Sequence, residues 1–357
     1  MKTPRRMHHE LAAGCRFLHN ARSGQIRNVH WLYFELLPDS DHSHLLRFPC
    51  PMVGRRLLID LNRKISEGTD MRLSFFVMAV LAASATAYAQ SVPAAIYTDP
   101  PVDSAHPAGM LVLHIPSHGD LINGIVYTPA GAGPHPTLVI CHGLPGNEKN
   151  LDLAQALRRA GWNAVTFNYR GSWGSPGSYS FAQNLEDAVA VLAYLRVPAN
   201  AAKLQIDTKK IVLAGHSMGG WVTAMTAAHD HALAGAILIS AADMGQLGKM
   251  EHSKLVAEMA DNMEGLAGVT AESMANEDAR NAQVFAFVNA VHGLKDVPLL
   301  ILSADDGLAP QTDELIQAIK AEGGHNVKAI HVATDHGWSD HRIFLESTVI
   351  DWLAALK

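Results

Sequence analysis

Residues 211–220 read Ile-Val-Leu-Ala-Gly-His-Ser-Met-Gly-Gly and carry the strongest signal in the chain. The four leading apolar residues predict a short buried strand, and the alanine-rich residues 221–229 predict a helix. Between them lies the pattern G-x-S-x-G, which places a serine on a sharp strand-to-helix turn. Gly215 and Gly219 lack the Cβ atoms that would clash in such a turn. The stretch therefore predicts a nucleophilic Ser217 beside the positive end of a helix dipole.

Strands and helices alternate on both sides of this turn. Further strands are predicted over residues 110–115, 120–128, 137–141, 163–168, 234–239, 297–302 and 327–332, and further helices over residues 150–160, 181–195, 312–321 and 342–356. This alternation is typical of an α/β fold, a mostly parallel twisted sheet with helices on both faces. Residues 241–296 interrupt it and are predicted to form a helical insertion.

Motifs at the predicted strand ends resemble those of the α/β-hydrolase family. Residues 142–146, His-Gly-Leu-Pro-Gly, follow a strand as the H-G motif follows the third strand in that family. Residues 168–177 are similar to its N-x-R-G-x-G-x-S segment, which prolyl-oligopeptidase-like members share. We expect Arg170 to hold this loop rather than to contact substrate. The resemblance covers nearly all of residues 110–357 and implies an α/β-hydrolase domain with residues 241–296 as a lid.

The same resemblance implies a Ser-His-Asp triad in the chain order nucleophile, acid, histidine. Ser217 is the implied nucleophile. Asp306 has the family's D-x-x-x-P spacing and is favoured as the acid over the adjacent Asp305; the other carboxylate is expected to cap the following helix. His336 lies on the loop directly after the last predicted strand, where family members carry the base, and is favoured over His341.

An oxyanion hole is also implied by the family's pattern. The backbone N–H groups of Leu144 and Met218 would form it, because Gly143 lets their two loops approach closely. His336 would take the proton of Ser217 as that residue attacks a carbonyl carbon, and water would later hydrolyse the acyl-enzyme. This chemistry requires no cofactor and no metal ion.

The first 89 residues differ in composition from the rest. They carry 12 Lys or Arg and 7 Asp or Glu, whereas the whole chain has a net charge of −6. Residues 71–89 combine a Met, one basic residue, a short apolar run and an Ala-x-Ala ending, the pattern of a signal peptide. An apolar helix within the fold is the alternative. We expect residues 1–70 to be non-native upstream sequence or a disordered leader and residues 90–109 to be a linker.

The composition also narrows the expected partners and location. Cleavage after Ala89 predicts an exported protein, periplasmic or secreted, without a stable membrane span. The residues after Ala89 have an acidic balance of charges, which argues against nucleic acid as a partner. Cys141 is the only cysteine among them. His229 and His231 are interpreted as part of a solvated helix end, not a metal site. A small-molecule ester or short peptide is the expected substrate, and the oligomeric state stays open.

Three functions are compatible with these motifs. The first is a serine esterase for small or medium carboxylic esters, in which Trp173, Trp221 and Trp338 could line an apolar pocket or pack in the core. The second is a peptidase of the prolyl-oligopeptidase-like type, although no repeats for a propeller domain precede the catalytic motifs. The third is a non-catalytic binding protein on the same scaffold.

Overall fold

The computed structural model describes residues 31–35, 45–49 and 92–356. Strands β1 (Trp31–Glu35) and β2 (Leu45–Pro49) pair antiparallel and belong to a separate unit. Both fall within residues 1–70, for which no element is predicted from the sequence. The predicted signal peptide, residues 71–89, lies outside the described residues. All the predicted catalytic residues belong to the second unit.

A single large sheet forms the centre of the second unit. Its strands are, in chain order, β3 (Gly109–Ser117), β4 (Asp120–Thr128), β5 (His135–Cys141), β6 (Asn163–Phe167), β7 (Ile206–His216), β8 (Gly235–Ile239), β9 (Leu299–Ala304) and β10 (Val327–Val332). Their spatial order is β10-β9-β8-β7-β5-β6-β4-β3. The pairs β3–β4 and β4–β6 are antiparallel and the others are parallel. The predicted mostly parallel sheet is therefore confirmed.

Helices surround this sheet. In chain order they are α1 (Ala94–Tyr97), α2 (Leu151–Arg159), α3 (Phe181–Arg196), α4 (Pro198–Leu204), α5 (Met218–Ala227), α6 (Met244–Leu247), α7 (His252–Ala260), α8 (Ala271–Asn281), α9 (Val291–Leu294), α10 (Ala309–Ala321) and α11 (Arg342–Ala355), with a 3₁₀ turn at Phe287–Asn289. The first of them lies within the stretch expected to be a linker, where Arg159 donates a hydrogen bond to the carbonyl oxygen of Ala95.

Strand β5 illustrates how the core is divided between the two faces of the sheet. Successive side chains of a strand point to opposite faces. Val139 and Cys141 accordingly pack with buried residues of α3 and α5, whereas Leu138 and Ile140 pack with those of α2 and α11. Helices therefore cover both faces, which explains why the central strands are apolar throughout.

The predicted helical insertion, residues 241–296, contains α6 to α9 and packs against the domain. Gly265 and Ala267 form three main-chain hydrogen bonds of 2.8–2.9 Å with the loop at residues 171–179. Several of its methionines are core residues: Met244, Met259 and Met274. These side chains therefore pack inside the protein.

Some element boundaries differ from those predicted. Strand β7 begins at Ile206 rather than 211, and α5 begins at Met218 rather than 221, immediately after the predicted nucleophile. The seven-residue α4 was not predicted; Pro198 lies at its start, where a missing N–H costs nothing. The early start of α5 matters for the site, because it places the helix N-terminus directly at Ser217.

Candidate active site

The strand order brings the loops that carry the predicted site residues to one edge of the sheet. β5 and β7 are parallel neighbours, although the chain visits β6, on the other side of β5, between them. β8, β9 and β10 continue the sheet beyond β7 in parallel. Carboxyl ends of parallel strands meet at the same edge, and ligands bind where the strand order reverses. The loops after β5, β7, β9 and β10 consequently meet there.

Ser217 occupies a strained turn between β7 and α5. Its φ of 58° and ψ of −125° lie in a region that side chains rarely adopt. A Cβ at Gly215 would lie 1.9 Å from the carbonyl oxygen of Gly219, and a Cβ at Gly219 would lie 2.2 Å from that of Cys141. Only glycine fits at either position. The half-buried Ser217 is thereby held at the apex of the turn.

The loop after β5 approaches this serine closely. A Cβ at Gly143 would lie 2.9 Å from the Cβ of Ser217 and 3.5 Å from its Oγ. Within the described part of the chain, the backbone N–H groups of Leu144 and Met218 donate to no acceptor. Both donors are therefore available to an oxygen atom of a ligand near Ser217.

His142 helps to fix the shape of that loop. The side chain is buried, and burial lowers its pKa to about 4, so the ring is neutral. Nδ1–H donates to the carbonyl oxygen of Gly143 over 2.8 Å, which leaves Nε2 to accept from the Ser172 hydroxyl at 3.4 Å. The Trp173 indole donates to the carbonyl oxygen of Pro145 over 2.7 Å. The loop after β5 is thus braced by the loop after β6.

The structure joins His336 and Asp306 directly. His336 Nδ1 lies 2.8 Å from Asp306 Oδ2, with the carboxylate 3% and the imidazole 42% exposed. Burial by itself would raise the pKa of Asp306, but hydrogen bonds from His336 and from the N–H of Leu308 lower it below its ordinary value. The ionised carboxylate therefore holds the proton of His336 on Nδ1 and leaves Nε2 free to act as a base.

Asp305, the alternative acid, pairs with His331 instead of His336. Its Oδ1 lies 3.0 Å from Nε2 of His331, whose Nδ1 is 3.0 Å from the hydroxyl of Ser303. The expectation that the second carboxylate caps α10 is wrong for Asp305, because Leu308 occupies the N-cap without a side-chain cap bond to any described residue. His341, the alternative base, lies at the start of α11 and pairs with Asp340 at 2.9 Å.

Ser217 and His336 make no hydrogen bond with each other in the described part of the chain. Within the residues that the structure describes, the Ser217 hydroxyl makes no hydrogen bond. His216, the preceding residue, does contact His336: its Nε2 is 2.8 Å from the His336 carbonyl oxygen, and the ring centroids are 4.6 Å apart. Catalytic hydrogen bonds are often long or poorly aligned in unliganded sites. The structure thus pairs Asp306 with His336, and Ser217 follows directly in the chain after His216, which contacts His336.

Ser240, which the sequence did not single out, supports the acid and, through Trp338, the histidine loop. Ser240, at the end of β8, contributes a hydrogen bond to Asp306 and accepts one from the indole of Trp338 at 3.0 Å. Trp338 is fully buried, as is Trp221, whose indole donates to the carbonyl oxygen of Phe285. Both tryptophans therefore pack in the core rather than lining a pocket.

Arg342 connects the histidine loop to the start of α2. It donates to the carbonyl oxygen of Gly337 at 3.1 Å and to Oδ1 of Asn150 at 3.0 Å. Two further bonds, of 2.6 and 2.7 Å, reach the carboxylate of Asp152. Because α2 follows the loop after β5, this side chain ties together two of the loops that form the site.

Arg170 holds its own loop, as expected from the sequence. Its Nε lies 2.7 Å from Oδ1 of Asp187, and Nη2 lies 2.5 Å from Glu186. Asp187 is fully buried and also accepts from the backbone N–H of Arg170 and the hydroxyl of Ser117. A buried carboxylate satisfied in this way anchors the glycine-rich loop to α3.

Two further features concern possible ligands and membranes. Within the described ranges, no group of three or more His, Cys, Asp or Glu side chains is arranged to hold a metal ion. His229 and His231 are exposed, and the Asp230 between them pairs with Arg196 at 2.5 Å. None of the helices in this part of the chain combines the length and the apolar character that crossing a bilayer requires.

Solved structures of several enzymes share this fold. One is from a study of two fungal esterases from Rhizomucor miehei, with a TM-score of 0.55 and 20% identity over 74% of this chain and 86% of that chain. Another is Est1E from Butyrivibrio proteoclasticus with bound ferulic acid, with a TM-score of 0.52 and 21% identity over 69% and 98%. The Pyrococcus horikoshii acylaminoacyl peptidase has a TM-score of 0.52 and 16% identity over 69% and 42%. At these identities the likeness concerns the fold.

The sequence itself matches a family as well. No curated protein sequence matches the chain. The profile described as "Alpha/beta hydrolase family" matches residues 138–347, more than half of the chain. This match spans the loop after β5, the turn at Ser217, and the loops that carry Asp306 and His336. Sequence and fold agree, and the chain belongs to the α/β-hydrolase family.

Proposed function

We propose that this protein is a serine hydrolase that cleaves carboxylic esters through an acyl-enzyme intermediate. The observation that carries the proposal is the 2.8 Å hydrogen bond between His336 and Asp306, in a loop that His216, the residue before the strained turn at Ser217, contacts directly. Nucleophile, base and orienting acid are the three groups that activation of a serine hydroxyl requires. Their positions on separate loops at one edge of the sheet suit a substrate bound across that edge.

In the first half of the proposed reaction, Ser217 Oγ attacks the carbonyl carbon of the ester while His336 Nε2 accepts the hydroxyl proton. The negative charge moves to the carbonyl oxygen, where the N–H groups of Leu144 and Met218 donate to it. Each such donor stabilises a transition state by about 3 kcal/mol. The tetrahedral intermediate then collapses, the C–O bond breaks, and the alcohol leaves with the proton from His336.

The second half restores the enzyme. His336 takes a proton from water, and the resulting hydroxide attacks the acyl carbon bonded to Ser217. The same two backbone donors stabilise the second oxyanion. When the acyl–oxygen bond breaks, the carboxylic acid leaves and Ser217 regains its proton from His336. Asp306 stays ionised throughout and stabilises the imidazolium in both halves.

A substrate panel tests this proposal. We expect the full chain to hydrolyse p-nitrophenyl esters and Ser217→Ala to lose at least about 1,000-fold in kcat. Aminoacyl p-nitroanilides belong in the same panel, because the fold is shared with an acylaminoacyl peptidase. Hydrolysis of anilides alone would favour the peptidase alternative and contradict ester cleavage. Full activity of Ser217→Ala would contradict both.

We also propose that the protein is exported after cleavage behind Ala89. The support is the signal-peptide pattern of residues 71–89. Expression of the full gene in a Gram-negative host, followed by fractionation and N-terminal sequencing, tests it. A periplasmic or secreted protein that starts at Gln90 is the expected result. A mature N-terminus near Met1, or retention in the cytoplasm, would contradict export.

A further inference from the structure

His216 is the variable residue inside the G-x-S-x-G pattern, between the strand and the nucleophile. Its side chain is only 4% exposed and points toward the loop after β10. There its Nε2 lies 2.8 Å from the carbonyl oxygen of His336. Because a carbonyl oxygen can only accept, His216 must carry a proton on Nε2 and donate it.

The surroundings of His216 keep it neutral. Burial first, then the nearby His336 and Arg342, lower its pKa, whereas its hydrogen bond to the His336 carbonyl oxygen and the nearby Asp306 raise it; together they bring the pKa down to about 4. A neutral imidazole carries one proton, and the contact with the His336 carbonyl oxygen places that proton on Nε2. His216 therefore acts as a fixed, uncharged donor at neutral pH.

The two imidazole rings also pack against each other. Their centroids are 4.6 Å apart and their planes are tilted by 45°. His336 is 42% exposed, so solvent borders much of its ring. The contacts that fix it come from the Asp306 carboxylate, which holds Nδ1, and from His216, which holds the main chain and covers one side of the ring.

We propose that His216 is a positioning residue, which holds the main chain of His336 so that Nε2 of the catalytic imidazole is directed at Ser217. This role rests on the proposed function, since it presupposes that His336 is the base. It follows from the geometry: Asp306 fixes a ring nitrogen, Arg342 and Ser240 hold Gly337 and Trp338 further along the loop, and His216 bonds the main chain of His336 itself. A misplacement of about 1 Å at a reacting group costs on the order of 100-fold in rate.

Neutrality of His216 is part of this role. When His336 accepts the proton of Ser217 it becomes a cation, with the ring of His216 only 4.6 Å away. A charged neighbour at that distance would oppose the proton transfer by Coulomb repulsion. The buried, neutral ring of His216 supplies the hydrogen bond without that opposition.

Three substitutions in the full chain separate positioning from simple packing. Gln at 216 can place its amide nitrogen near the position of Nε2, whereas the shorter Asn cannot reach it and Met has no donor. We expect His216→Met and His216→Asn to lower kcat for a p-nitrophenyl ester by about 10- to 100-fold, with KM changed by less than about threefold. We expect His216→Gln to stay within about threefold of the natural protein.

The control is His331→Gln, which alters another hydrogen-bonded histidine, one that pairs with Asp305 and Ser303. Its kcat is expected to stay within about twofold. Equal losses in the Gln, Asn and Met variants, or none, would overturn the positioning role. If His216→Met does not fold, the Gln and Asn pair still decides.

Ser217→Ala, assayed alongside, keeps the two proposals distinct. An active natural protein, an inactive Ser217→Ala and unimpaired His216→Met and His216→Asn would overturn the role of His216 alone. An active Ser217→Ala would overturn the proposed function, and the positioning role with it.

Discussion

The imidazole of His336 donates through Nδ1 to Oδ2 of Asp306 over 2.8 Å, and the carboxylate that receives it is 3% exposed. The two residues stand 30 positions apart, on loops that follow neighbouring parallel strands. This bond selects one tautomer of His336 and leaves Nε2 free to accept a proton. The same relationship distinguishes Asp306 from Asp305, which pairs with His331.

Replacing each aspartate by asparagine tests that distinction. Asp306→Asn removes the ionised acceptor and favours the wrong tautomer of His336, so we expect kcat to fall by about 1,000- to 10,000-fold. Asp305→Asn changes only the exposed pair with His331, and we expect a change of less than about threefold. Steady-state kinetics on one ester measures both. A larger loss in Asp305→Asn would assign the acid to the other residue.

Arg342 is expected to stabilise the site because its guanidinium group donates hydrogen bonds to Asp152, Asn150 and Gly337 at the same time. Lysine cannot bond Asp152 in two places and also reach Asn150 and Gly337. We expect Arg342→Lys to lower kcat/KM by about tenfold and the melting temperature by a few degrees. Arg196→Lys serves as the control, because Arg196 pairs with Asp230 instead. Equal kinetic losses in both variants would contradict a specific role for Arg342.

Gly143 should tolerate no side chain. A Cβ there would lie 2.9 Å from the Cβ of Ser217 and 3.1 Å from the carbonyl oxygen of His216, so the loop must move away. We expect Gly143→Ala to lower kcat by about 100-fold through the displaced N–H of Leu144. Gly109→Ala is the comparison, because its Cβ would meet only the Thr128 side chain. Normal turnover by Gly143→Ala would show that this loop does not serve the oxyanion.

Asp278 makes stability depend on pH. The side chain is fully buried in α8, and neither carboxylate oxygen has a hydrogen-bond partner in the described part of the chain. Burial first, then the nearby Glu277 and Asp243, raise its pKa from an ordinary 3.8 to about 8. The unfolded chain thus loses this proton at lower pH than the folded protein. Stability from Asp278 is therefore lost as the pH rises from about 4 to about 8.

Asp278→Asn should remove that dependence. We expect its melting temperature to exceed that of the natural protein by roughly 3–8 °C at about pH 8.5, and by much less at about pH 5. Thermal denaturation of the full chain at both pH values measures the difference. The same offset at both would mean that ionisation of Asp278 is not the cause.

The sequence predicted the parts of the site that local patterns specify. A strand, two glycines and a helix around Ser217 require a sharp turn, and its φ of 58° agrees with that expectation. The order of apolar runs predicted the parallel sheet, because buried strands leave a continuous hydrophobic signal. Asp306 and His336 could be proposed because each lies in the loop after such a run, where the resemblance to α/β-hydrolases implies the acid and the base.

The supporting contacts could not be predicted in this way. His216 and His336 are 120 positions apart, and Arg342 and Asn150 are 192 apart. No periodicity links such pairs, since they meet only when the strand order places their loops together. The same holds for Asp305, whose partner His331 is opposite Ser303 in the pairing of β9 and β10. A strand register of this kind is a property of the folded sheet.

Covalent labelling of the full chain with a fluorophosphonate, read by intact mass and peptide mapping, tests the central claim most directly. The probe reacts with a serine only when a base and an oxyanion site activate it. We predict one adduct per chain, on Ser217, with no adduct in Ser217→Ala and slow labelling in Asp306→Asn. An unlabelled natural protein, or an adduct on another residue that persists in Ser217→Ala, would contradict the account.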